Sequence, residues 1–292
     1  MLIPMPSLMP RTSPTKEKAD MGNTTKKTTK YVAKVPDEQG FIHYSEDEHR
    51  TWQYLISRQR PIAAKYACAE YLEALERMHF PDDSIPQCRE VSEVLLQTTG
   101  WQVEPVPALI PFGRFFQLLS EKKFPAASFI RSGDDLDYLQ EPDIFHEVFG
   151  HTPLLTDPRF AEFTHQYGLA GLRTPKENWS MLARLYWFTV EFGLINTESG
   201  LKTYGSGIVS SIGETPYAIE SDIPIRKPFD PVDALRTPYR IDIFQTVYFV
   251  IDSFDDLYQL AQRDLVALIK EARRLGMHEP TFPIDEHAPK WS

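Results

Sequence analysis

Cysteine is scarce in this chain of 292 residues, where only Cys68 and Cys88 occur. Two thiols make neither a disulfide framework nor a cysteine-rich zinc module, and both are read as reduced structural residues of a cytoplasmic protein. Long apolar runs are missing too. No stretch approaches the roughly 20 residues that a membrane helix needs, so no membrane partner is expected. Positive charge is in deficit, with 31 Lys and Arg against 41 Asp and Glu and a net charge of −10. Nucleic acid and anionic lipid are polyanions, so a chain with a pI near 5.3 is not expected to bind either. The start, Met1 to Pro6, lacks the basic and continuous apolar segments of a secretory signal. No repeat is visible, and too little heptad pattern follows residue 275 to predict a C-terminal coiled coil.

What is present is enough apolar and aromatic material, 42% and 12%, for a sizeable core. Residues 1–35 are the exception. Thr24 to Lys30 cannot bury enough surface to offset its ordering entropy, so 1–35 is expected to be a disordered tail, with Met21 a second candidate start. Residues 36–292 are expected to form a single domain, mostly α with small β elements. Ser45 with Glu48 is a capping-box signature and opens a helix carrying Trp52, Leu55 and Ile56. Pro61 suits the first turn of a second helix. Further helices are expected over about 86–98, 112–119, 143–150, 157–171, 176–195 and 254–275. Short strands are expected at 101–104 and 127–130, with extended pieces near 202–204 and 248–250.

The chemistry concentrates in one short stretch. Pro142 to His151 carries two histidines, His146 and His151, five positions apart, and Glu191 follows inside the apolar run Tyr186 to Gly193. Burying an unpaired carboxylate costs several kcal/mol unless it protonates, and a divalent cation offsets that cost directly. Two neutral imidazoles and one carboxylate are the ligand set of an open-sided iron(II) site. On an unbroken helix five residues turn through about 500°, which leaves the histidines roughly 140° apart. Gly150 is expected to end the helix and Pro153 to prevent its resumption, so that both rings converge.

Three other readings compete. A zinc hydrolase would use Glu147 as general base, but its motif places the histidines four apart on one face, not five. A structural histidine pair, with Glu191 bridged to Arg184 or Arg131, would need no metal. A non-catalytic helical interaction protein would bury the same polar cluster.

The stretch Glu141 to Leu154, with Leu185 to Leu194 and Tyr204 to Glu214 in the same order, resembles the aromatic amino acid hydroxylases. The likeness covers about residues 100–255, taken as the iron- and pterin-binding core. It implies a single catalytic domain of that type, with a mononuclear iron(II), a tetrahydropterin and dioxygen as cosubstrate. One oxygen atom then goes to an aromatic ring and the other to the pterin. The short form is similar to the bacterial members, which implies L-phenylalanine as substrate, L-tyrosine as product and a monomer, with tryptophan the main alternative.

By position, the resemblance implies His146, His151 and Glu191 as metal ligands and catalytic centre. It implies Arg131, Pro142, Asp143, Trp187 and Ser210 around the amino acid. Arg131 would grip its carboxylate through two parallel charged hydrogen bonds. Ser210 is similar to a hydroxyl that orients His146. Phe115, Leu109, Val106, Glu147 and Tyr186 fall on the pterin side, with Phe115 similar to an aromatic that stacks on the pterin. Leu139 and the loop Val106 to Pro111 depart from the pattern of the animal members.

Overall fold

The Ser45 hydroxyl accepts from Glu48 N and the Glu48 carboxylate accepts from Ser45 N, so the expected capping box opens the first helix. The computed structural model describes residues 31–107, 109–137, 139 and 141–282. Most of the stretch expected to be a tail lies outside the described residues. Tyr31 is inside them and stacks on Phe129, with ring centroids 4.9 Å apart.

Helix α1 runs without a break over Glu46–Tyr66 and contains Pro61, so no second helix begins there. The buried face Leu55, Ile56, Gln59, Ala63 and Tyr66 continues past the proline at helical spacing. That continuity outweighs the single backbone bond the ring removes. The break comes after it, where Cys68 N donates to Thr203 O at 3.0 Å and the backbone is extended. Helices α2 (Ala69–Met78) and α3 (Cys88–Thr98) follow. Gly100, at φ +77°, ends this section as its position suggests.

Strand β1 (Gln102–Val106) and strand β2 (Lys123–Ala127) form a parallel pair around helix α4 (Phe112–Ser120). The second strand was expected at 127–130. It starts four residues earlier because Lys122 turns the chain at φ +55° and puts Lys123 opposite Gln102. The core then passes through helix α5 (Pro158–Arg173), N-capped by Asp157, and helix α6 (Trp179–Tyr186).

A mixed four-stranded sheet holds the far side. It comprises β3 (Gly193–Thr197), β4 (Gly200–Thr203), β5 (Ile225–Pro228) and β6 (Val247–Ile251), in the order β4-β3-β6-β5. Only the β3–β4 pair is antiparallel. Helices α7 (Ser206–Val209), α8 (Glu214–Glu220) and α9 (Pro231–Arg236) fill the connections. The expected C-terminal helix is two, α10 (Phe254–Ala261) and α11 (Leu265–Leu275), because Asp264 caps Val266 N and Ala267 N and starts the chain afresh. One contiguous apolar cluster runs from Ile42 to Ala272, as a single mostly helical domain requires. Among the described residues no helix is long and apolar enough to cross a membrane.

Candidate active site

Two stretches expected to be regular helix are π-helical, and both carry the candidate ligands. His146–His151 forms one widened turn. Trp187–Glu191 forms the other, closed by Phe192 N donating to Trp187 O at 2.8 Å. Gly150 therefore does not end a helix before His151 but lies inside the turn. An i→i+5 turn brings residues five apart towards one face, which an α-helix cannot do. Such turns recur at functional sites. Gly150 is needed for a different reason, since a Cβ there would lie 2.9 Å from Ser206 O. Gly205 answers the same need on the other side, where a Cβ would lie 2.4 Å from Glu191 O. Helix α7 thus wedges between the two turns and brings them together.

His146 Nε2 lies 3.1 Å from His151 Nε2. Glu191 Oε1 is 3.3 Å from His151 Nε2, and Glu191 Oε2 is 3.6 Å from His146 Nε2. Donors about 2.1 Å from one ion and at right angles stand about 3 Å apart, so these three fit a shared cation. Burial pushes the pKa of both imidazoles down, that of His146 far down, which keeps them neutral with a lone pair to give. Burial alone would raise the Glu191 carboxyl, yet nearby positive charge and a hydrogen bond from His151 leave it well below the usual carboxylate range. Both arginines considered as structural partners for Glu191 have other partners. Arg184 reaches Ser180 O at 3.4 Å, and Arg131 is bonded to Asp143.

Each ligand is held from behind. Ser210 Oγ donates to Ser206 O at 2.7 Å, so it accepts from His146 Nδ1 at 2.9 Å. That fixes the tautomer with Nδ1–H and points the Nε2 lone pair into the site. Ser206 Oγ lies 3.0 Å from Glu191 Oε2 and 3.0 Å from Val190 O. Ser206 therefore reaches two of the ligands, one through its hydroxyl and one through its carbonyl and Ser210. It was not singled out from the sequence, where a serine beside glycines in a loop motif carries no periodic signal. The His151 ring packs on Phe124, with centroids 4.8 Å apart.

The wall where the amino acid is expected is built around Asp143, which is fully buried. Its carboxylate accepts from Arg131 Nε at 2.8 Å, Arg131 Nη2 at 2.8 Å and Arg131 N at 2.9 Å. It also accepts from His146 N at 3.1 Å, so one carboxylate ties the arginine to the metal turn. Burial opposes the Arg131 charge, but Asp143 more than compensates and raises its pKa. A cavity opens here, lined by Arg131, Pro142, His146, Trp187, Glu191 and Ser210 among others. Trp187 stacks on Tyr239 at 4.2 Å and donates from Nε1 to Gln245 Oε1 at 2.9 Å. Gln245 and Glu214 also line this cavity, and neither was singled out from the sequence.

The residues expected on the pterin side lie outside that wall. Phe115 is fully buried and meets Tyr186 edge-on at 5.4 Å. Val106 is buried at the end of β1, and Leu109 is 44% exposed. Burial raises the Tyr186 hydroxyl, which has no hydrogen-bond partner among the described residues. The widened turn brings Glu147 Oε2 to 4.0 Å from His151 Nε2. Burial pushes this carboxyl up to about 8.

The family model for biopterin-dependent aromatic amino acid hydroxylases matches residues 15–278. The chain belongs to that family. It is similar to the phenylalanine-4-hydroxylase of Pseudomonas aeruginosa, 56% identical over 257 residues that cover 88% of this chain and 98% of the other. The apo structure of the cold-active phenylalanine hydroxylase of Colwellia psychrerythraea superposes with a TM-score of 0.85 at 54% identity, covering 87% of this chain and 98% of that one. The Chromobacterium violaceum phenylalanine hydroxylase with oxidised Fe(III) bound has a TM-score of 0.80 at 41% identity, covering 87% and 92%. The zinc-hydrolase reading is not favoured by these relationships.

Proposed function

We propose that this chain is an iron(II)- and tetrahydropterin-dependent monooxygenase that hydroxylates L-phenylalanine to L-tyrosine with dioxygen. The observation that carries the reading is the meeting of His146 Nε2, His151 Nε2 and Glu191 within 4.8 Å of one another, beside a cavity walled by Arg131 and Trp187. The three neutral-or-anionic donors suit a divalent ion, and His146, His151 and Glu191 would hold it. When bound, iron and the reduced pterin supply dioxygen activation and two electrons.

The protein's own part is to bind and orient. Asp143 engages the Nε–Nη2 edge of Arg131 and so aims the rest of the guanidinium at a substrate carboxylate. Trp187 and Pro142 wall the ring, and Gln245 fixes the indole by its N–H. Ser210 keeps the proton of His146 on Nδ1 and Ser206 steadies Glu191. The ligands are largely buried, which strengthens charge interactions there.

Phe115, Leu109, Val106, Glu147 and Tyr186 are taken as the pterin side. The same reading takes residues 36–292 as one catalytic domain with its core at about 100–255, preceded by a tail. It takes the protein to be a cytoplasmic monomer without nucleic-acid partners, supported by two buried free thiols and a net charge of −10. The test offers phenylalanine, tyrosine and tryptophan in turn, with ferrous iron and a synthetic tetrahydropterin. Tyrosine should form fastest, from phenylalanine, and only with iron present. Faster turnover of tryptophan would reject the substrate, and turnover after iron is stripped would reject the metal role.

A further inference from the structure

A free amino acid carries an ammonium as well as a carboxylate, and a cavity that offers Arg131 to the one is best matched by an anion for the other. Among the described residues, four acidic side chains line it: Asp137, Glu141, Glu191 and Glu214. Glu191 faces the two imidazoles, and Asp137 is 78% exposed at its side chain and paired with Arg58. Glu214 differs from both. It is only 6% exposed, at the start of α8, and its Oε1 accepts two bonds, from Gln245 N at 2.9 Å and Tyr248 OH at 2.6 Å. Both bonds fall on one oxygen, which clamps the carboxylate and leaves Oε2 for a ligand. Gln245, the residue fixed by that clamp, also holds the Trp187 indole. Glu214 thus stands in one rigid unit with the wall expected to meet the aromatic ring.

Resting on the proposed amino acid substrate, we infer that Glu214 is the residue that receives the substrate's ammonium group. It makes the site select α-amino acids over ring-bearing carboxylic acids. The arrangement pairs a cation with Arg131 on one side and an anion on the other, so a zwitterion is matched at both ends. Burial pushes the Glu214 carboxyl up to about 7, and an arriving ammonium would favour its ionised form.

The experiment uses the full chain loaded with ferrous iron, without pterin or oxygen, and measures binding by calorimetry. The ligands are phenylalanine and 3-phenylpropionate, which keeps the ring and the carboxylate but lacks the ammonium. Glu214→Gln preserves an acceptor for Tyr248 and Gln245. It should weaken phenylalanine about 10- to 100-fold, the loss of one charge-assisted hydrogen bond, and leave phenylpropionate unchanged. Parallel weakening of both ligands would make Glu214 a support for Trp187 only and overturn the inference, as would unchanged binding of phenylalanine. Selective loss in Glu141→Gln instead would move the role to that residue and equally overturn it. A parent protein that binds phenylalanine no better than phenylpropionate does not recognise the ammonium, which also overturns the inference; if it binds neither, it is the substrate reading that fails.

Discussion

The two sides of this site are built by different means. On the side assigned to the metal and the amino acid most polar groups are tied: Ser210 to His146, Ser206 to Glu191, Asp143 to Arg131 and to the backbone of the histidine turn, Gln245 to Trp187, with His151 Nδ1 an exception. On the side assigned to the pterin, Val106 and Phe115 are apolar and buried, Leu109 is exposed, and the Tyr186 hydroxyl has no hydrogen-bond partner among the described residues. The first side is preorganised by directed bonds in low dielectric, where losing one partner strands the other. The second depends on shape and stacking, which tolerate substitution. Mutations of equal size should therefore have unequal effects across the boundary.

The largest effect is expected from Glu191→Ala. The variant should lose bound iron and essentially all turnover while its circular dichroism stays near that of the parent, because the removed charge leaves two neutral imidazoles. Retained iron stoichiometry with normal activity would remove Glu191 from the ligand set. Arg131→Ala comes next. It strips Asp143 of its bidentate partner inside the protein, and breaking a buried pair from one side costs about 3–5 kcal/mol. Denaturant unfolding should show that loss, and the KM for phenylalanine should rise far more than kcat falls. An unchanged KM would take Arg131 out of substrate binding.

A pH experiment tests the wall that carries Glu214. Burial raises this carboxyl from 4.5 to about 7, so the folded protein holds its proton more tightly than the unfolded chain does. The stability this gives is fully present below about pH 4.5 and is lost as pH rises through about 7. The shift amounts to about 3 kcal/mol at most. Glu214→Gln cannot ionise and should abolish this part of the pH dependence. Identical pH profiles for parent and variant would place the carboxyl in a wetter setting. Ser210→Ala should be milder, lowering iron affinity or turnover about 10- to 100-fold, as loss of a ligand's outer partner does. Ser210→Thr, which keeps the hydroxyl, should recover most of it.

Much of the tied side was legible in the sequence, because a charge in an apolar run demands a partner. Glu191 between Val190 and Phe192 was such a charge, and His146, His151 and Glu191 do meet. How they meet was not legible. Reading by a 3.6-residue period, the histidines converge only if Gly150 stops the helix, whereas the chain widens both turns. A widened turn is set by what packs behind it, here α7 against Gly150 and Gly205, and that contact is tertiary. The same holds for the bonds of Ser206 to Glu191, Gln245 to Trp187 and Glu214 to Gln245, which span 15, 58 and 31 positions and leave no local pattern. Pro61 shows the opposite error, a strong local signal overridden by a continuous buried face.

The smallest effect is expected where the site is least tied. Leu109 is 44% exposed, so truncation to alanine removes little buried area and should change stability by no more than about 0.5 kcal/mol. If the loop it occupies lies against the pterin, Leu109→Ala should raise the KM for the synthetic tetrahydropterin a few-fold and leave the phenylalanine KM in place. The same truncation at Phe115 leaves a void in a fully buried cluster and should cost about 3–5 kcal/mol. Any pterin effect there must then be read against lost folding. Leu109 is the cleaner probe for that reason, since it can report on the ligand without reporting on the core. A Leu109→Ala enzyme whose pterin KM is unmoved, beside an Arg131→Ala enzyme whose phenylalanine KM is, would mean the loop shapes the chain's surface and the pterin rests elsewhere along the buried Phe115–Tyr186 face.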